Sequence, residues 1–501
     1  MTLVLLFFVI SAVFEIIAPQ LPQAYVLRRS LAVSTAVGLL LAATIYICVA
    51  RLNIFSGLVC LLSLYRVINL LRIYKGRMHH DYLRRTSLKT TCWLAGAQVE
   101  IYLLRNVWDK LAPAPWAIWT VLIVVQTAVA AWMLYTVHRH IRHASAAPNI
   151  KAYSTGELPT ITVAIAARNQ TDSLMAGIES LLASDYPKLE ILVLDDCSQT
   201  RRTPEIIRGF AHQGVRFIPG DEPGPTWLAR NQAYDTLARA ASGEYLLFCS
   251  TALRLEPESI RKLISYALYS DKAMLSVMPS SVVTGGRFPL IETIRAAWEL
   301  MPPRRWLGRP PVSSACWLIR ASALHKAGGF AAVSRMVTPE AYFARKLTVH
   351  DRYSFAPGGT YYGVRAEADA AAGRSKIVRT SYPSLHRRPE MVALTAAGYL
   401  VFGVLPFIQL LLGLIGHGLW LVSLFSLPVV TVLLLAYRHV LQLSCGQAPV
   451  RFVGTFPAVV ATAIALQHYS MYKYEFSEVL WKDRNICLPV MYVVPQMPDP
   501  S

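Results

Sequence analysis

Apolar residues fall along this chain in two unlike patterns. Over residues 1–143, and again over 391–470, they gather into runs close to the ~20 residues that cross a bilayer as a helix. Thr2–Ala18, Leu31–Ala50, Ile54–Ile73, Thr91–Trp108 and Pro115–His138 form the first group. Met391–Leu414, His417–Tyr437 and Val453–Gln467 form the second. The third run turns polar in its second half at Arg66, Asn69 and Arg72, and the fourth carries Glu100 and Arg105. The fourth therefore reads either as a span or as an interfacial helix, so the first group holds four to five spans. The second group reads as three spans, or as two spans and an interfacial segment.

Between the two groups the pattern alternates between strand and helix. Thr160–Ile165, Glu190–Leu194, Val215–Ile218 and Glu244–Phe248 read as buried strands, while Leu174–Ala183 and Trp227–Ala241 have helical apolar spacing. Strands alternating with helices predict an α/β domain with a mostly parallel sheet. Such sheets bind ligands beyond the carboxyl ends of their strands. The residues to inspect are then Ala166–Asn169, Asp195–Ser198 and Cys249–Ala252. The expected organisation is an N-terminal membrane region over 1–143, an α/β domain over 150–390, a second membrane region over 391–470 and a tail over 471–501.

Composition sharpens this picture. Hydrophobic residues make up 54% of the chain and charged residues only 16%, yet the net charge is +19. Soluble domains run nearer a quarter charged. The basic residues cluster at the ends of apolar runs: Arg28 and Arg29, the stretch from Arg72 to Lys89, and Arg139 with Arg142. That places them at a cytosolic face among anionic phospholipids and argues against a nucleic-acid partner. With all of them inside, five spans put the N-terminus outside and the α/β domain in the cytosol. The eight cysteines have no paired spacing that would suggest a disulfide framework or a metal cluster.

Taken in order, Ala166-Ala167-Arg168-Asn169-Gln170 at the first strand end and Asp195-Asp196-Cys197-Ser198 at the second resemble the motifs of family-2 glycosyltransferases of GT-A fold. Pro159 precedes the first strand, which ends in Ala166-Ala167-Arg168-Asn169-Gln170, and the second ends in Asp195-Asp196-Cys197-Ser198. Gly224, Ala229-Arg230-Asn231 and Ala241-Ser242-Gly243-Glu244-Tyr245 follow, then Arg320 with Gly328-Gly329-Phe330. Trp481-Lys482-Asp483-Arg484 is similar to a Trp-Lys-Gly-Arg after the last helices of some membrane-bound members. The resemblance implies a GT-A-like domain flanked on both sides by transmembrane helices. It implies a nucleotide-sugar donor, UDP-linked by expectation, and a lipid or glycan acceptor, in the cytoplasmic membrane of a bacterium. Nucleotide-binding positions would be Ala167, Arg168, Asn169, Asp195, Asp196 and Arg230, with Asp196 reading the base. Asp195 and Asp196 could instead cap the next helix, and Arg230 could lie on a solvated helix face.

Three family features are altered. The Asp-x-Asp that holds Mg2+ or Mn2+ falls on Ser250 and Ala252, which cannot supply the carboxylate oxygens a hard cation prefers. The expected metal therefore loses its ligands, although Glu256 lies near in sequence. The acceptor-side base falls at Glu340, after Pro339, where it could also be an ordinary first-turn glutamate. A Gln-x-x-Arg-Trp expected before the next membrane segment is replaced by His386-Arg387-Arg388, which either binds diphosphate or acceptor or flanks the membrane. The resemblance thus implies an active transferase, with a catalytically silent partner protein as the alternative. A transporter is a third reading, resting only on Glu15, Arg66, Asn69 and Glu100 within apolar runs.

Overall fold

The computed structural model describes residues 2–18, 26–50, 54–74, 88–102, 115–145, 150, 153–282, 290–301, 310–359, 361–367, 370–415, 420–445, 450–482 and 484–487. Asp483, the basic stretch 75–87 and the end of the fourth apolar run, 103–108, lie outside them. The chain divides into two compact units. One comprises Met1–Val125, Ser381–Ser423 and Ile464–Ser477, the other Gln126–Thr380, Leu424–Ala463 and Glu478–Ser501.

Five helices open the chain: α1 (Thr2–Ile17), α2 (Val26–Ala50), α3 (Ile54–Tyr74), α4 (88–102) and α5 (Pro115–Ser145). The α/β region runs β1 (Ile161–Ala167), α6 (Asp172–Leu182), β2 (Leu189–Asp195), α7 (Arg202–Gly209), β3 (Val215–Pro219), α8 (Ala229–Ala240), β4 (Tyr245–Cys249), β5 (Leu253–Leu255), α9 (Ser259–Tyr269) and β6 (Met274–Met278). It continues with β7 (Ser280–Val282), α10 (Leu290–Leu300), β8 (Cys316–Arg320), α11 (Ala321–Lys326), α12 (Pro339–Thr348), β9 (Tyr353–Pro357) and β10 (Val364–Glu367). Then come α13 (Ala370–Ser384), α14 (Pro389–Tyr399), a π turn at Leu400–Val404, α15 (Leu405–Ile415), α16 (Trp420–Cys445), the single turn α17 (Val450–Val453) and α18 (Phe456–Phe476). A short hairpin, β11 (Leu480–Trp481) with β12 (Arg484–Asn485), ends the described chain.

Among the described residues, five helices are long and apolar enough to cross a membrane: Arg29–Cys48, Phe55–Arg72, Trp119–Arg142, Pro389–Leu411 and Trp420–Cys445. These match five of the apolar runs. The first run is a shorter apolar helix, Leu6–Ile17. Among the described residues, the fourth and the last, α4 and α18, are helical and are not among these five.

The polar residues that interrupt the third run have a structural use in the first unit. Arg66 is fully buried and donates to Glu15 Oε1 at 2.8 Å, Gln98 Oε1 at 2.7 Å, Ser11 Oγ at 2.8 Å and the Phe8 carbonyl at 3.1 Å. Asn69 donates to Thr91 Oγ1 at 2.9 Å, and Arg72 Nε to Glu475 Oε2 at 2.7 Å. An apolar environment makes a lone charge untenable, so these groups pair with one another and pin α1, α4 and α18 to α3. Glu100 faces out.

In the second unit the sheet order is β3-β2-β1-β4-β8-β6-β9. β1 pairs in parallel with β2 and β4, and β2 with β3, while β8 runs antiparallel to both neighbours. One face buries Val163, Ile165, Val193 and Leu247 with Leu174, Ile178 and Leu263 from α6 and α9. On the other, Phe248 stacks on Trp317 at 4.3 Å, and Tyr234, Phe330 and Phe343 close around them. That aromatic cluster fixes α8 and α12 against the strands carrying the site. Gly243 lies where the chain re-enters the sheet; a Cβ there would stand 2.5 Å from Thr162 N, so the position admits no side chain.

Candidate active site

The first two strand ends form one braced surface. Asp196 N donates to the Ala167 carbonyl at 2.8 Å, joining the end of β1 to the loop after β2. Asn169, at φ +50°, accepts from Gln199 N at 2.8 Å through its side chain, and its own N donates to Ser198 Oγ at 3.0 Å. Ser198 in turn donates to Asp195 Oδ1. Asn169 and Asp195 thus shape the loop. Arg168 Nη1 donates to the Asp196 and Cys197 carbonyls, both at 2.8 Å. Gly220 passes so close beneath that a Cβ would lie 2.5 Å from the Asp195 carbonyl oxygen.

Asp196 is the acidic group of this surface. It is 5% exposed, and α7 begins later, at Arg202, with no side-chain cap, so neither aspartate caps a helix. Its carboxylate Oδ1 accepts from Arg484 Nη1 at 2.6 Å, and Arg484 Nη2 reaches Glu222 Oε2 at 3.0 Å. Burial pushes the Asp196 carboxyl above the usual aspartate value, against the opposing pull of Arg484, Arg168 and Lys482.

The terminal hairpin therefore belongs to the site. Arg168 Nε donates to the Lys482 carbonyl at 3.1 Å, and Lys482 Nζ donates to Gln170 Oε1 at 3.0 Å. Trp481 carries Lys482 Nζ at 5.4 Å and Arg379 Cζ at 5.1 Å from its ring centroid, both within cation–π range. Burial and the neighbouring Arg379, Arg168 and Arg230 pull Lys482 down to about 8, with Asp196 acting the other way.

A second group surrounds Glu340. Asn231 Nδ2 donates to the carbonyls of Val333 at 2.7 Å, Met336 at 2.8 Å and Ser334 at 3.1 Å, and Leu228 N to Ser334 O at 2.9 Å. The Ala-Arg-Asn motif thereby staples α8 to the loop that starts α12. Glu340 stands in the first turn of α12 and is 1% exposed; its Oε2 has no hydrogen-bond partner among the described residues. It is thus a first-turn glutamate, but a buried one. Arg230 is half-buried rather than solvated: Nη2 donates to the Ser314 carbonyl at 3.0 Å and to Tyr234 Oη at 3.3 Å. Arg230 and Lys376 are the cations that Glu340 acts on electrostatically.

The turn after β4 does not fit a divalent ion. Ser250 N donates to the Ala315 carbonyl at 2.8 Å, and Ser250 Oγ faces Ala252 N at 3.5 Å. One neutral hydroxyl and a methyl group offer no carboxylate oxygen. Glu256 pairs instead with Arg365 at 2.6 Å, and no group of three or more metal-ligating side chains occurs among the described residues.

His386, Arg387 and Arg388 fall in the first unit. Arg388 pairs with Glu390, whose other oxygen accepts from Thr90 Oγ1 at 2.7 Å. Arg387 stacks on Tyr474, 5.3 Å from the ring centroid. His386 and Arg387 both adopt positive φ, +57° and +54°. Sequence reasoning did not single out Lys376 or Arg379, and it gave Arg484 no role beyond a motif likeness. A basic patch on α13 was the one available signal.

Residues 162–328 match the family described as Glycosyl transferase family 2. Over 111 residues the chain is 30% identical to the succinoglycan biosynthesis protein ExoO of Rhizobium meliloti (strain 1021), covering 22% of this chain and 30% of that relative. The chain thus spans less than a third of that relative's length. Mannosyltransferase PcManGT from Pyrobaculum calidifontis, solved with GDP-Man and Mn2+, aligns over 70% of this chain and 98% of its own at TM-score 0.37 and 15% identity. S. aureus TarS 1-349 aligns over 65% and 95% at TM-score 0.31 and 13% identity. With its parallel β3-β2-β1-β4 core and strand-end motifs in order, the segment 162–328 is a family-2 glycosyltransferase domain of GT-A-like fold, in a chain with five helices long and apolar enough to cross a membrane.

Proposed function

We propose that this protein transfers a sugar from a nucleotide-sugar donor to a lipid or growing glycan at the cytosolic face of a membrane. One observation carries the reading: Glu340 is a buried carboxylate with an unengaged oxygen, held beyond the strand ends by the Asn231 staple. A buried oxygen without a partner is costly to keep, which favours a use for it. Asp196 and Arg168 would hold the nucleoside, and Arg230 the diphosphate. An acceptor hydroxyl would attack the anomeric carbon of the donor sugar. The bond from that carbon to the phosphate oxygen breaks, its electron pair stays on the nucleoside diphosphate, and the hydroxyl proton passes to Glu340.

The test is donor consumption by detergent-purified protein across UDP- and GDP-linked sugars, with and without a lipid extract. Acceptor-dependent release of nucleoside diphosphate, abolished in Glu340→Gln, supports the reading. Release unchanged in Glu340→Gln would remove Glu340 as the base. The lost Asp-x-Asp favours a second reading, a partner protein without transferase activity; nucleotide binding with no turnover of any donor would establish it.

A further inference from the structure

We infer that Arg484 selects the base of the nucleotide: it takes one oxygen of Asp196 and leaves one acceptor, which suits the lone N–H of a uracil-type edge and not the adjacent N–H groups of guanine. This rests on the reading in which Asp196 holds the nucleoside. An arginine fork fits both oxygens of one carboxylate. Here the fork is split, with Nη1 donating to Asp196 Oδ1 at 2.6 Å and Nη2 to Glu222 Oε2 at 3.0 Å. Asp196 therefore keeps Oδ2. Among the described residues no donor meets Oδ2, yet Oδ2 is not one of the buried atoms left without a partner, so it opens to solvent.

The split is held in place by the hairpin. Arg484 lies opposite Trp481 and two residues after Lys482. Arg168 Nε donates to the Lys482 carbonyl at 3.1 Å, and Lys482 Nζ donates to Gln170 Oε1 at 3.0 Å. Both ties run to the end of β1, where Asp196 N also bonds the Ala167 carbonyl at 2.8 Å. Guanidinium and carboxylate are thus anchored to the same strand end. Their side chains are only 15% and 7% exposed, so water competes little for the bond between them.

A uracil edge offers one N–H between two carbonyls. The N–H can donate to Oδ2 while a flanking carbonyl faces the guanidinium, itself a donor. Guanine offers two adjacent N–H groups, which want both oxygens of one carboxylate. The second would have to share Oδ1 with a guanidinium N–H already bonded there. A polar group left without its partner on binding costs affinity. Cytosine and adenine turn a bare ring nitrogen toward the carboxylate, lone pair against negative charge.

Calorimetry on the full chain in detergent, with Mg2+ throughout, compares UDP, GDP and IDP, whose base is guanine without the 2-amino group. Wild type should bind UDP about ten-fold or more tighter than GDP, and IDP tighter than GDP. Arg484→Met returns Oδ1 to Asp196 and should shrink the UDP-to-GDP affinity ratio about ten-fold or more. An arginine that merely supports the fold would weaken all three nucleotides alike and leave the ratio unchanged. An unchanged ratio in Arg484→Met overturns the inference, as does a wild type that binds GDP as tightly as UDP. If Arg484→Met fails to fold, the wild-type series decides: IDP tighter than GDP supports the single acceptor, and GDP equal to IDP or tighter removes it. The donor assay separates this selection from transfer. The expected ratios without turnover of any donor would remove transfer and keep the selection, whereas turnover of GDP-linked sugars ahead of UDP-linked ones would remove the selection and keep transfer.

Discussion

At the residue scale, Asp196, Glu340 and Lys482 separate binding from chemistry. Asp196→Ala should weaken UDP binding by about 1.5–3 kcal/mol if the aspartate bonds the base, measured by calorimetry; unchanged affinity would limit Asp196 to its bond with Arg484. Glu340→Gln should leave UDP affinity intact and lower turnover by roughly 100- to 10,000-fold, the range for loss of a general base. Lys482 gives a pH signature. It releases its proton at about 8 in the folded chain, against 10.5 for an ordinary lysine. Between those values the unfolded chain binds more protons, so Lys482 contributes stability that grows as pH rises through the window. Thermal midpoints measured between about pH 8 and 10 should carry this rising contribution in the wild type and lose it in Lys482→Met; equal pH profiles would show that Lys482 does not titrate in that window. Asp196 was legible because it ends an apolar strand. Its partner Arg484 was not, since nothing local in a sequence announces a contact across 288 residues.

Elements carried most of what the sequence could convey. The strands announced themselves because buried parallel strands are short apolar runs, and β1, β2, β3 and β4 stand within a few residues of their expected limits. The helices long and apolar enough to cross a membrane, α2, α3, α5, α14–α15 and α16, followed from length and hydropathy. The contact of α13 with the hairpin did not. Its sequence, Ala-Ala-Ala-Gly-Arg-Ser-Lys-Ile-Val-Arg-Thr, is an unremarkable basic helix, and Arg379 meets the Trp481 ring only because the fold brings the hairpin beside it. The polar half of α3 was visible, yet its purpose required the partners on α1 and α4. Arg66→Ala would strand Glu15 without its ion pair in an apolar setting and should destabilise the first unit by about 3–5 kcal/mol, read as a lowered thermal midpoint in detergent. Asn231→Ala removes three bonds to carbonyls at once. About 1–3 kcal/mol of stability should go with them, and catalysis should suffer more than nucleotide affinity, because the staple positions α12 rather than the strand ends.

For the whole molecule, the charge asymmetry predicts one orientation. A reporter fused after Arg142 should behave as cytosolic, and one placed between Lys110 and Pro115 as external; a cytosolic signal at the second site would mean that 91–108 does not cross. The sequence could count apolar runs but not decide between crossing and lying flat, since both bury an apolar face. The hairpin adds a consequence for biogenesis. Asp196 waits for an arginine made 288 residues later, after α18. At about 5–20 residues per second, a ribosome needs roughly 15–60 s to cover that distance. Throughout that interval the sheet can fold, but the surface at its first two strand ends lacks a side. A chain stalled or cleaved before residue 480 would carry an intact domain with an unfinished pocket, so full activity would report that synthesis has run past the last helix.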